Sequence, residues 1–109
     1  MEAPSAKHVL CALLAIAATA CSEDTPVDEG KLALQSRCAR CHAIGESDAS
    51  PRADAPPFRE IVKRYPPESL AESLAEGITS GHPDMPQFVL APEEIGAVID
   101  YMKTLMPRR

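Results

Sequence analysis

Apolar positions along the chain fall into two regimes. Residues 9–20 read VLCALLAIAATA, a run of apolar and small side chains. From residue 26 onward, apolar positions instead recur three and four apart, the period of a helix that buries one face. A first helix is expected to start near Thr25, which can cap it. Pro26 suits the first helical position, and Asp28 and Glu29 favour the positive end of the helix dipole. Val27, Gly30, Leu34, Cys38 and Cys41 then share one face. Gly30 lowers helix propensity by about 1 kcal/mol, and its place on that face predicts close approach by another helix.

The stretch after His42, AIGESDASPRADAPP, is rich in small, polar and turn residues and reads as a surface loop ending at Pro56-Pro57. Phe58 to Tyr65 predicts a short helix with Phe58, Ile61, Val62 and Tyr65 on one side, ended by Pro66. Pro67 opens another helix, with Leu70 and Leu74 turned inward and Gly77 as its stop. Residues 78–90 hold Pro83 and Pro86, which rule out regular helix or central strand. Between those prolines Met85 has little freedom of placement, as a ligand carried on a loop requires. The last helix is expected from Pro92 to Pro107. Ile95, Val98, Ile99, Met102, Leu105 and Met106 form its stripe, and Tyr101 borders it. The alternation of a strand is missing, so the fold class is all-α.

With 109 residues, one domain is expected. The run at residues 9–20 is too short for a membrane span, which needs ~20 residues. Lys7 precedes it and Ala18-Thr19-Ala20 ends it, the order of a secretory signal. Cleavage there would leave Cys21 at the new N-terminus. Small residues followed by Cys resemble a bacterial lipoprotein signal, with Cys21 as the lipidated residue. Ordinary cleavage with Cys21 left as a free thiol is the alternative. The expected organisation is a cleaved signal over 1–20, a polar tether over 21–26 and a folded domain over 27–107. Net charge is −5 and the basic residues are scattered, which argues against a nucleic-acid partner.

Of the 4 cysteines, Cys11 and Cys21 fall in the N-terminal segment, which leaves Cys38 and Cys41 for the domain. Cys38-Ala39-Arg40-Cys41-His42 is C-x-x-C-H, the pattern for covalent attachment of a c-type haem. Each thiol can add across one vinyl group, and His42 follows where its imidazole reaches the iron from one side. A haem would also supply apolar bulk to a chain with only 2 Phe, 2 Tyr and no Trp. Zinc held by Cys38 and Cys41 would need further ligands, for which His42 and His82 are on offer. A thioredoxin-like dithiol would need a βαβ setting.

Taken together, three features resemble the small single-haem class I cytochromes c of the bacterial periplasm. They are the first helix running into C-x-x-C-H, the Gly81-His82-Pro83-Asp84-Met85-Pro86 loop, and a terminal helix with Tyr101. The resemblance covers residues 27–106. It implies a compact three- to four-helix fold around a covalent haem, with first and last helices crossing and Gly30 near Tyr101. Cys38 and Cys41 would carry the thioethers, His42 would be the proximal iron ligand and Met85 the distal one. A carbonyl of Pro56 or Pro57 would accept from the other nitrogen of His42, and Arg52 and Arg59 are candidates for pairing with haem propionates.

The function implied is one-electron transfer in the periplasm, with no catalytic residues. The partners would be a dehydrogenase, a bc-type complex or a terminal oxidase, and a lipid on Cys21 would hold the protein near them. Three alternatives stay open: a dedicated cytochrome subunit of a dehydrogenase or oxidase, a bis-His haem using His82, and a haem enzyme or sensor if Met85 dissociates.

Overall fold

The computed structural model describes residues 23–77 and 83–108. The expected signal segment, Cys11, Cys21, Gly81 and His82 lie outside them. The described residues form four α-helices, α1 (Pro26–Arg37), α2 (Phe58–Arg64), α3 (Ala71–Glu76) and α4 (Pro92–Thr104), with a 3-10 turn, Pro67–Leu70, leading into α3. No strand occurs among the described residues, in keeping with the all-α expectation. No described helix is long and apolar enough to cross a membrane.

α1 begins where its capping residues place it. The Thr25 hydroxyl accepts from the Asp28 N–H at 3.3 Å, and the Asp28 carboxylate accepts from the Thr25 N–H at 3.2 Å and from its hydroxyl at 2.7 Å. These bonds hold the Asp28 carboxyl below the usual carboxylate range. α4 uses half of the same device: the Ala91 N–H donates to Glu94 at 3.1 Å. Glu94 also accepts from Arg37 at 2.8 Å, which ties the end of α1 to the start of α4. Ala91 first and Arg37 second lower the Glu94 carboxyl.

α1 buries only Gly30 and Leu34. Leu34 packs in a cluster with Ile44, Val62, Leu90, Ile95, Val98, Ile99, Tyr101, Met102 and Leu105. Burying a side chain such as Leu34 or Val98 contributes roughly 1.5–3 kcal/mol, enough to offset the propensity lost at Gly30. Gly30 lies against the α4 backbone: a Cβ there would overlap the Ala97 carbonyl and lie 2.9 Å from the Val98 nitrogen. The expected close approach is present, one turn of α4 earlier than Tyr101. Gly77 ends α3 at φ +100°, a backbone that glycine adopts without steric cost.

Three expectations are corrected. Cys41 does not share a helical face with Leu34, because α1 ends at Arg37 and the chain tightens into a turn. Tyr65 is 56% exposed. Pro66 disfavours helical backbone at the residue before it, so Tyr65 is extended (φ −129°, ψ 118°) and its ring leaves the α2 face. Met106 is 42% exposed, since α4 stops at Thr104 and the chain then turns outward.

Tyr101, at the border of the stripe, is buried, and its hydroxyl donates to the Ile44 carbonyl at 2.6 Å. Burial pushes its phenol pKa up, so it remains a donor at neutral pH. Tyr101→Phe leaves that carbonyl unpaired and is expected to cost about 1–3 kcal/mol. Denaturant unfolding of the haem-loaded protein reads this; an unchanged midpoint would mean that the bond adds nothing.

Candidate haem site

The C-x-x-C-H stretch is a turn built on the last carbonyls of α1. The N–H groups of Cys38 and Ala39 both donate to the Leu34 carbonyl, at 2.8 and 3.0 Å. Those of Cys41 and His42 donate to the Cys38 carbonyl, at 3.1 and 2.9 Å. The two thiols and the imidazole are thereby held within one turn. Both cysteines are free and half-buried. Burial pushes the Cys38 thiol up to about 11, against a smaller opposing effect of Arg37. A redox-active dithiol needs the opposite shift, and no strands surround this one among the described residues. No cluster of three or more His, Cys, Asp or Glu side chains able to hold a metal ion occurs among the described residues; His82, a ligand in the zinc alternative, lies outside them.

His42 has a defined proton. Its Nδ1 lies 2.7 Å from the Pro56 carbonyl. A carbonyl only accepts, so Nδ1 carries a hydrogen, and in the neutral ring that tautomer leaves on Nε2 the lone pair with which imidazole binds metals. Of the two prolines, Pro56 makes this bond. The Phe58 ring meets the imidazole edge-on, with centroids 5.6 Å apart.

The loop between His42 and α2 is ordered by bonds the sequence did not suggest. The Ala43 N–H donates to the Ser50 hydroxyl at 2.9 Å, and the Phe58 N–H donates to the Ala43 carbonyl at 2.9 Å. Tyr101 holds Ile44 from α4. Arg59 donates to the Asp48 carbonyl at 2.7 Å, and Arg52 pairs with Asp54 and Asp84. Both arginines are thus engaged with protein oxygens, Arg59 through Nη1 and Arg52 through Nε and Nη2. Ser50 and Asp84 carried no sequence signal of a role here, because only the loop path brings their partners to them.

Met85 is half-buried in the turn at residues 83–85. The segment after it is fixed where the Leu90 N–H donates to the Leu74 carbonyl at 3.0 Å. The donor set fits a covalently attached haem: two free thiols, an imidazole with its Nε2 lone pair available, and a thioether on a separate segment.

Comparison with known proteins agrees. Residues 25–102 match the family model described as cytochrome c oxidase, cbb3-type, subunit III. The chain is also similar to cytochrome c-552 of Bradyrhizobium diazoefficiens, 35% identical over 100 residues, which spans 90% of this chain and 93% of that protein. No solved structure matches it significantly.

Proposed function

The chain belongs to the cytochrome c family, as a small single-haem class I member, and from that premise we propose that it shuttles single electrons between protein partners in the periplasm. It carries a covalently bound c-type haem and is a haem-based electron carrier. When bound, the haem supplies an iron that cycles between Fe(II) and Fe(III).

The residues divide the remaining work. Cys38 and Cys41 hold the macrocycle through thioethers. His42 ligates iron through Nε2, and the Pro56 carbonyl fixes its ring and raises its donor strength. Met85 would hold the group through its thioether, a soft donor that would favour the ferrous state and raise the potential. With His42 and Met85 both holding the group, no position would be left for substrate or oxygen, which favours a carrier over an enzyme. Both cysteines retain partial exposure, and a partner would approach the attachment edge there. Residues 1–20 are read as a removed signal, 21–26 as a tether with lipid on Cys21, and 27–107 as the working domain.

The observation that carries the reading is the 2.7 Å contact between His42 Nδ1 and Pro56, which leaves Nε2 for iron beside two free thiols. The test is the absorption spectrum of the chain made with haem-maturation machinery. A sharp reduced c-type spectrum and a weak long-wavelength iron–thioether band when oxidised are expected. A high-spin oxidised spectrum would overturn the carrier reading, and a chain that attaches no haem would overturn the site.

The description of the matching family favours a second reading, a dedicated cytochrome subunit of an oxidase. Stoichiometric co-purification of a tagged copy with membrane oxidase subunits would establish it over a free shuttle.

A further inference from the structure

We propose that Arg52 is a positioning residue for the distal ligand, clasping Asp84, the neighbour of Met85, to the turn that carries His42. The inference rests on the reading of Met85 as that ligand. The backbone ties Arg52 to the attachment turn: its N–H donates to the Cys41 carbonyl at 3.2 Å, and its own carbonyl accepts from the Ala55 N–H at 3.1 Å. Its side chain then reaches 32 residues along the chain, where Nη2 donates to Asp84 Oδ2 at 3.0 Å. Asp54 sets the guanidinium plane, accepting from Nε at 2.6 Å and from Nη2 at 3.2 Å. A charge-assisted fork of this kind is directional, so the plane that Asp54 fixes decides where Asp84 is held.

The segment bearing Met85 is therefore tied near both ends. Leu90 is fixed to Leu74 through the backbone, and Asp84 to Arg52 through side chains. Pro83 and Pro86 restrict the backbone on either side of Met85, so a tether at Asp84 is passed to the thioether with little slack. The proximal turn and the distal segment are thereby joined through protein contacts independent of the iron. The Arg52–Asp84 pair is exposed, 42% and 66% at the two side chains, so its contribution is modest and salt-sensitive.

The test is the rate at which imidazole displaces Met85 from the oxidised, haem-loaded chain, followed by loss of the iron–thioether band. Asp84→Asn and Arg52→Met are each expected to raise that rate at low salt, by up to about fivefold. The double variant should be no faster than the faster single one, because both remove the same contact. Added salt should speed the parent chain toward the variants and leave the variants unchanged. Lys63→Met, which breaks the exposed Lys63–Glu60 pair (2.8 Å) away from this clasp, should match the parent. Unchanged displacement rates in Asp84→Asn and Arg52→Met, with the band lost in Met85→Ala, would overturn the clasp and leave Met85 as ligand. A band that survives Met85→Ala would overturn the ligand reading and the clasp with it.

Discussion

Gly30→Ala is expected to destabilise the haem-loaded protein by about 3 kcal/mol, even though alanine is the better helix former by about 1 kcal/mol. The reason is where the new atom falls. A Cβ at residue 30 would overlap the Ala97 carbonyl and lie 2.9 Å from the Val98 nitrogen. Both obstacles are backbone, so no side-chain rotation relieves them. α1 and α4 would have to move apart, and the cluster that joins Leu34 to Val98 and Met102 would lose contact. For a domain of this size the loss corresponds to a fall in Tm of roughly 12–24 °C. Gly96 supplies the opposite sign. It also lies in α4, but nothing is within 4 Å of its would-be Cβ. Gly96→Ala should therefore stabilise, by up to about 1 kcal/mol. Thermal unfolding of the two variants side by side tests the point. A rise in Tm for both would mean that α1 and α4 are not in backbone contact at Gly30.

Met85→Ala is expected to open one axial position of the iron. The oxidised spectrum should lose the iron–thioether band and become high-spin, the reduced protein should bind carbon monoxide, and the potential should fall. Axial ligands command a range of about 0.8 V, so the fall should be readable by simple redox titration. The other methionines of the folded domain are poor substitutes. Met102 is 1% exposed within the α1–α4 core, and Met106 lies past the end of α4 facing solvent. Met102→Leu should therefore leave the band in place. If Met85→Ala instead gives a low-spin spectrum lacking the band, His82 has taken the iron. A parent chain with that same spectrum would make His82 the native ligand.

The sequence alone was sufficient wherever the deciding interaction is local. Thr25, Pro26 and Asp28 announce the start of α1 because a cap joins residues three apart. Pro92 and Glu94 do the same for α4. Cys38, Cys41 and His42 could be assigned to haem attachment because the whole device fits within five consecutive residues. Gly30 could be read as a contact point because a glycine on a buried helical face has few other uses. The resemblance places its partner in the region of Tyr101, and the structure narrows this to the Ala97–Val98 backbone one turn earlier, since helix periodicity does not set the height at which two helices cross.

Where the partner comes from another part of the chain, the local pattern was silent. Pro56 and Pro57 are chemically equivalent in the sequence, and only the path of the preceding loop brings the Pro56 carbonyl to His42. Tyr101 and Ile44 are 57 positions apart, and their bond depends on how α4 packs over the loop after His42. Arg52 is a candidate partner for propionates in the sequence, and only the folded chain shows Asp54 and Asp84 within its reach. Tyr65 and Met106 were assigned to buried faces by a helical period that stops just before each of them. Sequence thus determined the all-α fold class, the starts of the first and last helices and the family. Tertiary structure decided which carbonyl pairs with His42, which side chains leave the core and which carboxylates Arg52 meets, because hydrogen bonds and ion pairs act over only a few ångströms and the distances between such residues exist only once the chain has folded.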